Sequence, residues 1–392
     1  MKRAAAATAI SAAIAMSGSA FAQDDQLRVW IGGDKGYSGL QKVGDWFTEE
    51  TGIRVIVEYP EDATSRFEQA AAAGGGPDIW IWAHDRAGDW AQAGLLRPVN
   101  PSASVREGIN DTGWEAFTIG GRTWGYPIAF EAIGLIYNRD LVPEAPATFE
   151  EIFEIDQALQ EDGKNAILWD YNNTYFTWPL LAAAGGYAFA QDENGDYIAN
   201  DTGVNNDGAL AGANMLVRLI EEGVMPRGAT YSDMERRVNN GEVAMMINGP
   251  WAWDNLRRSG IDFGVAPIPS INGEPGSPFV GVLGAMINRN SANSDLAVEF
   301  IENYILDVRG LKMIDDDVPL GVPANQAFYE EIAADPRIRA TMANVEAGHP
   351  MPSNAEMGRF WSAMESALQN MTSGRQSVEE ALNDAAARIK SR

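Results

Sequence analysis

The chain has 392 residues, 45% of them hydrophobic, enough for a sizeable core and about two domains. Lys and Arg number 29 against 55 Asp and Glu, a formal net charge of -26, which repels a phosphate backbone and argues against an anionic lipid surface as partner. No cysteine is present, so disulfides and a lipid-modified cysteine anchor are excluded.

The first residues read as an export signal. Met1-Lys2-Arg3 is basic, Ala4 to Met16 is weakly apolar, and Ala20-Phe21-Ala22 has the small-x-small form of a cleavage site. Cleavage after Ala22 is expected. The apolar run is too short for a permanent anchor, so the periplasm of a diderm bacterium is the expected compartment. Next, Leu27, Val29 and Ile31 alternate as a strand, and Leu40, Val43 and Phe47 recur at helical spacing. Ile53, Val55, Val57 and Tyr59 alternate again. A helix is predicted over Ser65 to Ala73, stopped by Gly74-Gly75-Gly76-Pro77, and Asp78 to Trp82 is a third strand. This is a βαβαβ unit with a parallel sheet.

In such sheets ligand groups gather beyond the carboxyl ends of the strands. Two polar clusters lie there: Asp34-Lys35 after the first strand and Asp85-Arg86 after the third. Gly32-Gly33-x-x-Gly36 lacks the full dinucleotide fingerprint and carries no nucleotide reading.

Further on, Pro127 to Asn138 is apolar except for Glu131, a carboxylate that must be paired or face a cleft. Helices are predicted over Phe149 to Gln160 and Asn206 to Glu222. A strand over Glu242 to Ile247 ends in the sequence NGPWAW, and Phe279 to Asn288 is another apolar strand. A helix surrounds Trp361, and Ser377-Val-Glu-Glu380 opens the last one as a capping box. Two α/β lobes, with the chain crossing between them more than once, fit this layout.

Two histidines and no cysteine leave a zinc site short of its usual ligands; no nucleophile elbow and no P-loop occurs. The bland reading of His84 is a loop histidine satisfied by backbone. Of 12 tryptophans, Trp82 and Trp251 end short apolar strands beside loops, whereas Trp253 suits the core. A pyranose packs its C–H face on aromatic rings and offers hydroxyls to charged groups. Asp34, Lys35, Asp85, Arg86 and Glu131 with these rings form such a kit. Two bland alternatives stay open: Asp85-Arg86 as an internal ion pair, and Trp361 as core beside Phe360, Met364 and Leu368. A glycoside hydrolase would need two flanking carboxyls, one of them protonated; Arg86 beside Asp85 and Lys35 beside Asp34 favour the ionised forms and argue against it.

The runs VWIGGDKGYSGLQKVGDWFTEETGI, GPDIWIWAHDRAGDWAQAGLL, YPIAFEAIGLIYNRDL, YFTWPLLAAAGGYAF, INGPWAWDN, PFVGVLGAMIN, DPRIRATMANVEAG and SGRQSVEEAL span about residues 27 to 390. In this order they closely resemble the periplasmic maltose/maltodextrin-binding proteins, the substrate-binding subunits of ABC importers. The resemblance implies an α/β fold of the type II periplasmic-binding kind: two lobes, each a mostly parallel sheet flanked by helices, joined by a hinge. It implies an N-terminal lobe of residues 23–130 plus 284–330 and a C-terminal lobe of 131–283 plus 331–392, with hinge strands near Ala129 to Ala132 and Phe279 to Leu283. It implies Asp34, Lys35, Asp85, Arg86 and Glu131 as polar sugar ligands beside Trp82 and Ala83. Tyr175, Trp251 and Trp361 would form the stacking platform, and Tyr231 and Met351 would line the rest.

The implied activity is binding and delivery of maltose or maltodextrin, without catalysis, cofactor or metal. The implied partners are permease subunits of an ABC importer, with a chemoreceptor as a further candidate, and the implied state is a monomer. The sequence departs from the family at Gly32 (an asparagine there), at Thr64 and Ser65 (two glutamates), at Asp170 (an asparagine) and at Asn173-Thr174 (a Glu-Pro pair). These departures touch the polar rim and leave another oligosaccharide, such as trehalose or sucrose, as the alternative ligand.

Overall fold

The computed structural model describes residues 26–192 and 197–391; the expected export signal lies outside them. The opening βαβαβ unit is present. Strands β1 (Gln26–Trp30), β2 (Arg54–Glu58) and β3 (Ile79–Ala83) pair in parallel in the order β2-β1-β3. The intervening helices are Tyr37–Thr51 and Ala63–Ala72. The first buries Leu40, Val43 and Phe47, and stops where Gly52 takes φ 78°, a left-handed conformation that glycine adopts without penalty.

The apolar run after Tyr126 breaks into two strands that join different sheets. β4 (Tyr126–Glu131) stays with the first sheet, whereas β5 (Gly134–Asn138) begins the second. The second sheet adds β6 (Asn165–Ile167), β7 (Val243–Asn248) and β8 (Phe263–Ala266), in the order β8-β5-β7-β6. The chain then returns through β9 (Phe279–Asn288), which inserts between β3 and β4. All ten β9 residues are buried, which explains its unbroken apolar sequence. Pro127 has no N–H to give the ladder. The register slips there: Leu283 faces Ala129, Gly284 faces Pro127, and Ile128 is left over as a bulge. Both sheets are mixed: parallel within the βαβ units, antiparallel where β4, β5, β8 and β9 carry the chain between sheets.

Two apolar cores result. One draws on Leu27 to Phe130 and on Val280 to Phe328; the other on Ile133 to Phe279 and on Ile338 to Ile389. The fold is therefore two-lobed. The remaining helices follow their sequence signals. Thr148 caps Phe149–Gln160, Asn206 caps Asp207–Glu221, and Ser377 with Glu380 closes a reciprocal box on Val378–Lys390.

Candidate functional site

Between the lobes lies a cavity of about 550 Å³. From the first lobe, the turn after β1 supplies Asp34 and Lys35; Lys35 N–H donates to Gly32 O at 3.1 Å and Tyr37 N–H to Lys35 O at 2.7 Å, which fixes its shape. A Cβ at Gly32 would stand 2.6 Å from Asp34 Oδ1 and 3.0 Å from the Trp82 ring, so this backbone is wedged against both. β3 delivers Trp82 and Ala83. Trp82 stacks on Trp80 at 5.1 Å and Trp80 on Phe67 at 5.0 Å, and this stack sets the Trp82 ring. Asp85 follows in the 3-10 turn His84–Arg86, and β4 ends on Glu131.

From the second lobe come Tyr175 and Phe176 on the helix Thr174–Ala183, capped by Asn173, which accepts from Tyr175 N–H at 3.0 Å. Tyr231 opens the helix Tyr231–Asn239, and its hydroxyl accepts from Asn248 Nδ2 at 3.2 Å. Trp251 sits in the turn Pro250–Ala252 after β7, its ring centroid 6.4 Å from Tyr175. Met351 N–H donates to Val280 O at 3.0 Å, and Trp361 projects from the helix Met357–Ser373.

Eleven of the twelve residues expected around a ligand line this cavity: Asp34, Lys35, Trp82, Ala83, Asp85, Glu131, Tyr175, Tyr231, Trp251, Met351 and Trp361. Arg86 does not. The tight turn sends its side chain to the helix Ala63–Ala72, where Nη1 lies 2.9 Å from Glu68, and Nη2 lies 3.6 Å from Asp89. Asp170, Asn173, Phe176, Gly281 and Leu283 complete the lining. Asp170 and Asn173 were visible in the sequence only as departures from the family pattern. Phe176, Gly281 and Leu283 lie in apolar runs that carry no site signal.

The charges are arranged around Lys35. Its Nζ lies 2.5 Å from Glu131 Oε1, 3.7 Å from Asp34 Oδ2 and 4.7 Å from the centroid of Trp251, a cation–π contact across the cavity. Burial works against the ammonium, but Glu131 and Asp34 outweigh it and raise its pKa. Asp85 corrects a sequence expectation. Burial pushes its pKa up to about 6, against the lowering by a hydrogen bond from the Trp361 indole and by neighbouring Arg86. The adjacent cation loses because its guanidinium is turned toward Glu68. Asp170 is raised as well, by burial and then by Glu365. Burial, then Glu131 and Asp85, lift the Tyr175 phenol well above its ordinary range, so it stays a neutral donor. Among the described residues no three His, Cys, Asp or Glu side chains group as a metal site.

His84 is absent from the lining. It is 1% exposed; its Nδ1 accepts from Val282 N–H at 3.0 Å and its Nε2 faces Met351 O at 2.9 Å. Since Nδ1 accepts, the proton sits on Nε2 and donates to that carbonyl. The reading of a backbone-satisfied histidine therefore holds, and Trp253 is a core residue at 2% exposure.

A sequence profile described as "Bacterial extracellular solute-binding protein" matches residues 32–307. The chain belongs to this family. Solute-binding relatives cover nearly its whole length. A maltodextrin-binding protein of Bacillus subtilis is 28% identical over 90% of this chain and 86% of its own. A maltooligosaccharide ABC transporter solute-binding lipoprotein of Streptococcus pneumoniae is 28% identical over 93% and 88%. A galactooligosaccharide-binding protein of Bacillus subtilis is 27% identical over 95% and 91%. The solute-binding family thus accounts for the two lobes and the cavity between them. Among the described residues no helix is long and apolar enough to cross a membrane.

Proposed function

We propose that this protein is a receptor for maltose and maltodextrins that passes its sugar to the permease subunits of an ABC importer. One observation carries this reading: the Tyr175, Trp251 and Trp361 rings of one lobe line a single cavity together with Asp34, Lys35 and Asp85 of the other and with Glu131 at the boundary between them. Rings take the C–H face of a glucosyl unit, and the charged groups take its hydroxyls. A ligand touching both lobes favours the closed arrangement, and closure is the signal a permease reads. The maltodextrin and maltooligosaccharide relatives support the same ligand class.

The lobes are taken as residues 23–130 plus 284–330 and 131–283 plus 331–392; the two apolar cores support the change of lobe after Phe130, whereas Val280, Val282 and Leu283 pack in the first core. Hinge strands are placed at Ala129 to Ala132 and Phe279 to Leu283. The protein acts in the periplasm as a monomer after cleavage at Ala22, without catalysis. The Glu131–Lys35 ion pair supports the absence of hydrolysis, because it ties up the carboxylate a two-acid mechanism would need. Incubation with maltotriose is expected to release no glucose; appearance of glucose would reverse this.

Tryptophan fluorescence titrated with maltose, maltotriose, trehalose, sucrose and β-galactooligosaccharides tests the ligand. Saturable micromolar binding of the maltodextrins is expected, roughly -8 kcal/mol. Trp251→Ala should weaken it by about a hundredfold, the loss of an aromatic anchor in a desolvated pocket. Silence toward every α-glucoside would end the reading. Tight binding of β-galactooligosaccharides alone would favour a receptor of the same architecture for another oligosaccharide, which the galactooligosaccharide-binding relative supports.

The raised pKa of Asp85 adds a pH prediction. The ionised carboxylate accepts charge-assisted bonds from sugar hydroxyls, and the protonated one does not. Affinity should fall by about tenfold from pH 7 to pH 5, on the difference between charged and neutral hydrogen bonds. In Asp85→Asn this slope should vanish. A slope unchanged in that variant would assign it to another group.

A further inference from the structure

The aromatic surface continues past the cavity wall. The Trp82 ring, inside, lies against the backbone of Gly32, where a Cβ would be 3.0 Å from it. Gly33, next in the chain, also has no side chain, and a Cβ there would be 3.4 Å from the ring of Tyr59. Tyr59 follows β2 directly and stacks on Tyr37, their ring centroids 4.1 Å apart and inclined by 34°. Its exposure is 52%, the highest of any large apolar side chain among the described residues. Asp34, which lines the cavity, has a side chain 61% exposed and so reaches the same rim.

Isolated exposed rings need no special account. Tyr59 is different in two respects. It is held from behind by a second ring and by glycine backbone, so little rotamer freedom is left to lose when something stacks on its open face. It is also continuous with a ligand cavity through two residues that put no side chain in the way. Trp82, the bare Gly32-Gly33 backbone and Tyr59 form one strip running from the inside of the cleft to the outside.

We propose that Tyr59, backed by Tyr37, is an outer stacking platform for an oligosaccharide whose first units fill the cavity. This rests on the oligosaccharide reading above. The ligand class is a pyranose chain longer than the cavity holds. Its emerging unit lies on the Tyr59 ring, and Asp34 accepts a hydroxyl at the crossing point.

The test is calorimetric titration of the full mature chain with maltose through maltoheptaose and with β-galactooligosaccharides of the same lengths. Wild type, Tyr59→Ala and Tyr59→Phe are compared, with unfolding midpoints measured alongside. In the series that wild type binds, Tyr59→Ala should lose about tenfold in affinity for the longest members and keep wild-type affinity for the disaccharide. Tyr59→Phe, which retains the ring, should stay near wild type at every length. Equal affinity of Tyr59→Ala and wild type at all lengths overturns the platform and leaves the receptor reading standing. So does a uniform loss at every length, which would mean a packing role. If wild type binds neither series, the receptor reading fails first and the platform fails with it.

Discussion

Replacing Lys35 by methionine should lower the free energy of unfolding by about 3 kcal/mol at neutral pH and abolish measurable sugar binding. The magnitude follows from what remains: Glu131, 9% exposed, is left without the partner 2.5 Å away, and breaking a buried pair typically costs about 3–5 kcal/mol. The sign of the pH effect is fixed by the raised pKa of Lys35. The pair's contribution is complete below the ordinary lysine range and is lost only as pH rises through the raised value. Urea unfolding at pH 7 measures the loss. The double variant Lys35→Met, Glu131→Gln should recover much of it, since a neutral amide tolerates burial better than an unpaired carboxylate. A single variant within about 0.5 kcal/mol of wild type, the usual range for surface changes, would mean that water already screens the pair.

His84→Ala should cost about 3 kcal/mol at pH 7, because it leaves Val282 N–H and Met351 O buried and unpaired. The penalty should depend on pH. Burial pulls the imidazole pKa down to about 4, against the hydrogen bonds to Met351 and Val282. The unfolded chain, with an ordinary histidine near 6.5, takes up its proton first as pH falls. The stabilisation from neutral His84 is therefore complete above about pH 6.5 and fades toward pH 4. The gap between wild type and His84→Ala should shrink by about 3 kcal/mol over that window. Asp85 works in the opposite sense: its raised pKa adds stability at low pH that is lost as pH rises through about 6. The two neighbours thus oppose each other in wild type, and the variant uncovers the Asp85 slope. A gap constant from pH 7 to pH 4 would show that His84 titrates like an exposed histidine.

The sequence made the framework legible wherever local pattern decides the outcome. Alternation at Leu27, Val29 and Ile31 marked a strand, and the helix Phe149–Gln160 has the bounds read for it in the sequence. Asp34, Lys35 and Asp85 were found because strand carboxyl ends are where open sheets collect ligand groups. What escaped depends on distant partners. No local signal ties His84 to Val282, 198 residues on, or to Met351, 267 residues on. Reading Asp85 and Arg86 as neighbours in sequence suggested neighbours in charge. The turn between them points one into the cavity and the other at Glu68, and burial then governs the carboxylate. The strand break at Ala132–Ile133 was hidden for a similar reason: two strands of different sheets share one apolar run.

The ammonium of Lys35 over the face of Trp251 has a consequence for selectivity. A sugar ring can lie on that face only by evicting the cation already there. The binding site therefore carries an internal rival. A solute that offers nothing but a flat apolar face gains little over the occupant it displaces. One that also brings hydroxyls to Glu131 and Asp85 gives the displaced lysine a new role as donor and recovers the loss. Eviction thus acts as an entrance threshold, screening out small ring-shaped molecules before any difference in linkage or length is read.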